Sequence, residues 1–214
     1  MQTTFKLFFS FFLCCLTLSF GGCGSAKPNR DVIDTSLVLD RTFEDQKYGF
    51  RFNYPSSLPF EGKSSLKEDD EVTVRGVLEQ GSATLWFTPE QKLASNAVMM
   101  TVQWVMKDRS KQTKSEHEQT TKRAGGSLQF FEKIKLAGKD CTYVRSSGGG
   151  MMMGDKRIAE GYFLTLKDGT GIGISFFGPS DKIETYRPQF NAVLKSFKFD
   201  TETGETAELP SGEE

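Results

Sequence analysis

Apolar and polar residues alternate with a period of two in several stretches of this chain. The clearest is the segment 48–54, YGFRFNY, where four aromatic side chains share one face and Arg51 and Asn53 the other. Pro55 ends it. Similar patterns, separated by glycine-containing and polar turns, predict seven further strands: 72–78, 83–87, 98–106, 127–136, 140–146, 157–167 and 171–177. So many turn-separated strands predict a largely antiparallel sheet.

Two segments have the composition of helices. Apolar residues recur at spacings of three and four over 181–197, which predicts an amphipathic helix. Ser180 or Asp181 is its expected cap, and Asp181 with Glu184 has the spacing of a capping box. Pro188 is expected to kink the helix or to mark a fresh start. A final short strand is expected at 197–199.

The second helical candidate, 110–124, is highly polar and ends at Gly125. It has almost no apolar stripe to bury, so an exposed helix and a loop both remain open. The segment 107–123 is net basic. We expect it to be a solvated face, with contact to anionic lipid headgroups as the alternative.

The first twenty-two residues are typical of an export signal. Lys6 precedes an apolar run over 7–20, which would rise about 21 Å as a helix and is too short to span a bilayer core of roughly 30 Å. No second apolar run of spanning length follows. We therefore assign 1–22 to a lipoprotein signal peptide rather than to a transmembrane anchor.

Cys23 is the candidate lipidation site. Phe20-Gly-Gly-Cys23 resembles the lipobox of bacterial lipoproteins, with phenylalanine where leucine is usual. The resemblance implies that Cys23 becomes the acylated first residue, followed by a polar tether over 23–35. Gly24, rather than aspartate, favours the outer membrane. Cleavage after Ala26, which would release a soluble secreted or periplasmic protein, is the alternative.

Composition limits the remaining function classes. Basic and acidic side chains number 27 and 28, so the chain has no strong field to attract nucleic acid. Cys14 and Cys15 lie in the signal, and lipidation of Cys23 would leave Cys141 as an unpaired core thiol. The segment 201–214 is predicted to be a disordered acidic tail.

Candidate chemistry is sparse. His117, the single histidine, is expected to be exposed, because its neighbours Glu116 and Glu118 cannot converge with it on a metal. Met151, Met152 and Met153, in a glycine-flanked loop, are assigned to a possible contact surface in preference to a copper site. No metal site, cofactor or catalytic group is predicted.

Two framing motifs resemble the PsbP-like fold family: the aromatic strand ending in Tyr-Pro at 48–55, and YRPQFNAVLKSFKF at 186–199. The resemblance covers about residues 37–200. It implies an α+β fold, with an antiparallel sheet flanked by helices in an α/β/α sandwich, and no active site. Members are binding or assembly modules, and the bacterial lipoprotein branch of unknown role is the best fit.

The sequence therefore predicts a PsbP-like domain over 36–200 that acts as a non-enzymatic binding or assembly module. It is exported and lipid-anchored to the bacterial cell envelope through Cys23. Its expected partners are membrane lipid and a protein of unknown identity, with no nucleic acid. The alternative function is a secreted soluble carrier of a small ligand or metal ion.

Overall fold

The structure is a computed structural model that describes residues 27–63, 81–88, 96–148, 157–166 and 168–200. The predicted signal peptide, the strand predicted over 72–78 and the acidic tail lie outside these ranges. The described part contains ten strands and two helices: β1 (Arg41–Asp45), β2 (Phe50–Tyr54), β3 (Phe60–Lys63), β4 (Gly81–Trp86), β5 (Met99–Met106), α1 (Lys114–Arg123), β6 (Gly126–Leu136), β7 (Lys139–Gly148), β8 (Arg157–Thr165), β9 (Gly171–Pro179), α2 (Ile183–Lys195) and β10 (Lys198–Phe199).

The strands form two antiparallel sheets. A seven-stranded sheet has the order β3-β4-β5-β9-β8-β7-β6, and a three-stranded sheet has the order β1-β2-β10. The aromatic alternation of β2 works as predicted, since Phe50 and Phe52 are buried and Arg51 is exposed. The small sheet packs on the large one through rings such as Phe50 and Trp104, whose centroids are 5.2 Å apart.

The two helices lie on opposite faces of the large sheet. Tyr162 of β8 contacts Phe190 of α2, with ring centroids 5.9 Å apart, whereas the next residue, Phe163, contacts His117 of α1 at 5.6 Å. Because successive strand residues point to opposite faces, α1 and α2 cover different sides. The predicted α+β fold with a helix-flanked antiparallel sheet is confirmed. We call the two sides the α1 face and the α2 face.

Helix α2 buries the predicted apolar stripe but begins differently from the prediction. Its buried residues are Ile183, Arg187, Phe190, Asn191, Ala192, Val193 and Leu194. Lys182 is the N-cap and makes no side-chain capping bond, so the predicted Asp181–Glu184 capping box is wrong. The side chain of Glu184 instead accepts hydrogen bonds from Arg187 and Arg145. The helix also continues through Pro188 without a fresh start.

The strand directions give the large sheet two distinct ends. The β6–β7 turn, Ala137 and Gly138, lies at one end, which we call the tether end. The antiparallel register places the β8–β9 turn at that same end, and it places Gly148 and Arg157, which flank the β7–β8 connection, at the opposite or far end. Helix α2 runs towards the tether end, where Lys195 lines the same cleft as Ala137. None of the described helices is both long and apolar enough to cross a membrane.

The β6–β7 turn matches its sequence. Ala137 and Gly138 both have positive φ, at 49° and 82°, which is the geometry of a two-residue turn matched to the twist of antiparallel strands. It is one of the glycine-containing turns expected between the predicted strands. Gly138 takes this conformation at no steric cost, while Ala137 carries strain in it.

Candidate functional site

The residues assigned to function from the sequence fall outside the described ranges. Cys23 precedes the first described residue by four positions, and Met151, Met152 and Met153 lie between the described residues Gly148 and Arg157. Lipidation and the methionine contact surface therefore stay predictions. What the structure does provide is the position of the flanking residues: Lys27 at the tether end, and Gly148 with Arg157 at the far end.

Cys141 is a free, buried thiol, as predicted. It is 2% exposed and belongs to the apolar core on the α2 face. Burial raises its pKa to about 12, so it carries almost no thiolate at neutral pH. His117 lies on the α1 face, on the other side of the sheet, so the one imidazole of the chain cannot activate this sulfur.

His117 is not exposed, so that prediction is wrong. It is 1% exposed and lies between the rings of Phe131 and Phe163, each 5.6 Å away. Its Nδ1 accepts a hydrogen bond from Arg109 at 3.3 Å, which assigns the ring proton to Nε2. The imidazole is the single buried side chain of α1 and attaches that helix to the sheet.

A groove of about 340 Å³ runs beside His117, between α1 and the sheet. Its sheet side carries small residues, including Gly161 and Ser175. His117 Nε2 is buried and has no hydrogen-bond partner among the described residues. Burial, and then the charge of Arg109, lower the pKa of His117, so the ring is neutral at pH 7. Among the described residues no Ser, Thr or Cys side chain is hydrogen-bonded to the ring, which packs between Phe131 and Phe163 and bonds to Arg109.

A buried salt-bridge cluster lies on the α2 face. Glu160 of β8 accepts hydrogen bonds from Arg145 at 2.9 Å and from Arg187 at 3.1 Å, and Glu184 accepts from the same two arginines. The side chain of Glu160 is fully buried, and that of Arg187 is 3% exposed.

The charges of this cluster balance, with two arginines against two glutamates. Burial opposes the charged form of Arg187, but the hydrogen bonds that Arg187 donates to Glu184 and Glu160, together with their negative charges, prevail and raise its pKa. Breaking such a buried pair costs about 3–5 kcal/mol, because one charge stays buried without a counter-charge. The cluster ties α2 to β7 and β8, with Glu160 fully buried and the side chain of Glu184 half exposed.

The first described residues are attached to the domain. We call residues 27–34 the N-terminal strap. Lys27 Nζ and Arg30 both bind Glu132 of β6, the first at 2.7 Å, and the Arg30 guanidinium lies 4.6 Å from the Tyr143 ring centroid. Asn191 Nδ2 donates to the carbonyl groups of Asn29 and Val32, at 3.2 and 2.7 Å. The strap thus lies along α2 and β6.

The strap borders a cleft of about 780 Å³ at the tether end. Its walls are the strap, the β6–β7 turn and the last turn of α2, and its charged lining residues are Lys27, Arg30, Asp31, Lys135 and Lys195. Tyr162 and Asn191 also line it. The Tyr162 hydroxyl and Asn191 Oδ1 are buried and have no hydrogen-bond partner within the described part of the chain.

A second cleft, of about 750 Å³, lies on the other side of the same hairpin. It is lined by four lysines, Lys111, Lys133, Lys135 and Lys139, and by Asp140. Lys133 Nζ donates to Thr142 Oγ1 at 2.6 Å and also to the Ser110 carbonyl, which joins the hairpin to the segment before α1.

The lining of these two clefts is mainly cationic. The two clefts are lined by seven Lys or Arg side chains and two Asp side chains, and adding the salt-bridge partners Glu132 and Asp108 leaves a net charge of +3. The whole chain has a net charge of −1. Sequence analysis missed this concentration because its members come from four separate segments. The alternation KIKL at 133–136 was the available signal.

No group of three or more His, Cys, Asp or Glu side chains that could hold a metal ion occurs among the described residues.

The chain was compared with known protein families, curated proteins and solved structures. No family model matches the chain, and no curated protein matches it significantly in sequence. Among solved structures it is similar to the Ran-binding protein Mog1p of Saccharomyces cerevisiae, with a TM-score of 0.42, 12% identity, and coverage of 74% of this chain and 94% of that chain. It is also similar to PA94, a protein of unknown function from Pseudomonas aeruginosa, with a TM-score of 0.38, 5% identity, and coverage of 73% and 94%.

Scores and identities this low carry no argument for this chain. Ran binding is a property of the yeast protein. The α+β architecture stands on the strand order and register described above.

Proposed function

We propose that this protein is a non-enzymatic lipoprotein of the bacterial cell envelope, with a PsbP-like domain that serves as a binding or assembly module. Acylated Cys23 would hold it to the membrane, with the outer membrane favoured by Gly24. The observation that carries the proposal is the N-terminal strap. Lys27, four residues after Cys23, is already bound to the folded domain through Glu132.

That attachment makes the tether short. Four residues span at most about 14 Å even when fully extended. An acylated Cys23 would therefore hold the tether end of the domain next to the lipid and direct the far end away from it. Each acyl methylene that enters the bilayer contributes about 0.8 kcal/mol, so several chains on one cysteine anchor the domain stably.

The far end is then the surface available to a partner in the envelope. The connection between Gly148 and Arg157 carries Met151, Met152 and Met153, and methionine side chains adapt to apolar partner surfaces. A binding role also fits the chemistry of the described residues. The thiol of Cys141 is buried and protonated, the glutamates of the charge cluster are paired, and His117 is bonded to Arg109.

The test is the mature N-terminus together with its location in the cell. Mass spectrometry of the native protein should find Cys23 as the first residue with a diacylglycerol and a further acyl chain. Cys23→Ala should abolish acylation, so that no mature lipoprotein is found in the detergent-extracted membrane fraction. The matched control, Cys141→Ala, should leave the protein there. An unmodified N-terminus at Lys27 would overturn the proposal.

The second candidate is a soluble carrier of a small ligand. It is favoured by the strap-bordered cleft, whose volume of about 780 Å³ falls within the range of small-molecule sites and whose lining residues Tyr162 and Asn191 have unbonded polar atoms. Native mass spectrometry of the purified protein tests it. A stoichiometric small molecule that an Asn191→Ala variant fails to retain would support a carrier, and a ligand-free mass for the native protein would count against it.

A further inference from the structure

We propose that the tether end of the domain is a membrane-docking surface whose lysines bind anionic phospholipid headgroups. The inference deepens the proposed function and rests on the anchoring at Cys23. It commits to lipid as the occupant of this end and leaves the far end to a protein partner. Two independent features of the described residues lead to it: where the chain enters the domain, and how charge is distributed there.

The first feature is the point of entry. The strap runs along α2, with Asn29 and Val32 beside Asn191 and Asp34 beside Pro188, so its start lies at the C-terminal end of that helix. That is the tether end, where Lys195 and Ala137 line one cleft. With a tether of about 14 Å or less, these groups are held near the headgroups whatever path the four residues take.

The second feature is charge. The net +3 around the two clefts is carried largely by exposed side chains, among them Lys135 and Lys195. Near an anionic leaflet each such charge strengthens binding about five-fold, and the effect fades within a Debye length of about 8–10 Å. A surface held this close by a covalent anchor satisfies the distance requirement.

The sequence had suggested another basic segment, 107–123, for contact with lipid. Helix α1 fits this role less well, because it runs from the tether end to the far end, where Gly126 follows it and pairs with Gly148. Its last-turn cations, Lys122 and Arg123, therefore lie away from the tether. The cations of the β6–β7 hairpin lie beside it.

Two double variants of equal charge change separate these surfaces. The docking variant is Lys135→Gln and Lys195→Gln; the control is Lys122→Gln and Arg123→Gln in the last turn of α1. All four side chains are exposed, so both variants should retain the far-UV circular dichroism of the native fold.

The mature acylated protein is reconstituted into vesicles of phosphatidylcholine alone or of an equimolar mixture with phosphatidylglycerol. Amide hydrogen exchange is then measured at 135–140 and, as an internal control at the far end, at 180–182. We expect exchange at 135–140 to slow several-fold on anionic vesicles only. The docking variant and high salt should abolish this protection. The α1 variant should keep it, and 180–182 should not respond.

Equal exchange on both kinds of vesicle would overturn the inference, and so would loss of protection in the α1 variant. Whether Cys23 is acylated is determined separately, from the mass of the protein in the same preparation. If Cys23 is unmodified, the released protein is sedimented with the same vesicles. Binding to anionic vesicles that the docking variant weakens about 25-fold would support the surface without the anchor, and no sedimentation would refute it.

Discussion

The two helices of this domain are attached to the same sheet by different means. Helix α2 buries seven residues, including a stacked pair in which the Phe190 ring lies 4.2 Å from that of Phe176. Helix α1 buries one, His117, and is otherwise polar. An apolar stripe is visible in the sequence as a repeat at spacings of three and four, whereas a single buried residue in a polar helix produces no such pattern. The difference explains why the sequence predicts a helix for α2 but leaves both a helix and a loop open for α1.

The N-terminal ends of the two helices differ in the opposite sense, because α1 has a capping box and α2 does not. At α1, Thr113 and Glu116 form a capping box: Thr113 Oγ1 accepts from the Glu116 amide at 3.3 Å, and Glu116 Oε2 accepts from the Thr113 amide at 2.7 Å. At α2 the spacing of Asp181 and Glu184 suggested the same motif. There Glu184 is drawn instead into hydrogen bonds with two arginines. A capping signal is reliable where the acidic residue has no stronger partner.

The largest effect is expected from the apolar stripe of α2. Phe190→Ala should lower the free energy of unfolding by about 4 kcal/mol, because it removes a fully buried ring that contacts Phe176 and Tyr162. Urea denaturation measures the change. Thr185→Ala, at an exposed position of the same helix, is the control and should stay within about 0.5 kcal/mol. A loss below about 2 kcal/mol would show that the stripe is not what holds α2.

The anchor of α1 should respond to pH. His117 has a folded-state pKa below its ordinary value of 6.5, caused by burial and then by the charge of Arg109. Above pH 6.5 the ring is neutral in both states. As the pH falls below 6.5 the unfolded chain takes up a proton more readily, so stability should fall by up to about 1.4 kcal/mol per pH unit.

Urea denaturation from pH 7 to pH 5 measures this loss. His117 is the single histidine. Asp108, Glu116, Glu132 and Glu184 have pKa values lowered from the ordinary 3.8 or 4.5, so their loss of stability falls mostly below pH 5 and adds little within this window. The control is His117→Phe, which keeps an aromatic ring beside Phe131 and should lose much less stability than the native protein between pH 7 and pH 5. A native loss no larger than that of this variant would contradict the buried, neutral imidazole.

The smallest effect is expected at the capping box of α1. Thr113→Ala should cost about 1 kcal/mol, because the amide of Glu116 loses its acceptor at the helix start. Thr113→Ser keeps the hydroxyl and should be close to native. Hydrogen exchange in 114–118 should rise in the alanine variant and not in the serine variant. Identical exchange in the two variants would mean that His117 alone fixes the helix.

Many strands of the fold can be predicted from local hydrophobic patterns in the sequence. Alternation predicted β2 through Phe50 and Phe52, and the strands β4 to β9 that lie in the described ranges appear within a few residues of their predicted bounds. The two edge strands that were not individually predicted, β1 and β3, are short and carry weaker alternation. Pairing partners could not be predicted, since β5 pairs with β9 across about seventy residues and no local signal encodes that contact.

Much less of the candidate site can be predicted from the sequence. Cys23 was identified as a lipidation site from a motif that is contiguous in sequence, and it stays a prediction. The tether-end surface is assembled from the strap, the β6–β7 hairpin, the segment before α1 and the end of α2. Lys27 and Lys195 are far apart in the chain but line the same cleft, because the strap lies along α2. The spacing of residues within one segment cannot predict a surface that is assembled from several segments.

The sequence by itself determined the period-two strands and the apolar stripe of α2, because each depends on residues that are close together in the chain. Tertiary structure alone decided that a polar helix would bury His117, that Glu184 would leave a capping role for two arginines, and that lysines from four segments would share one end of the sheet. Those outcomes depend on burial and Coulomb interactions between residues distant in the chain, which the order of residues does not reveal until the strands have paired.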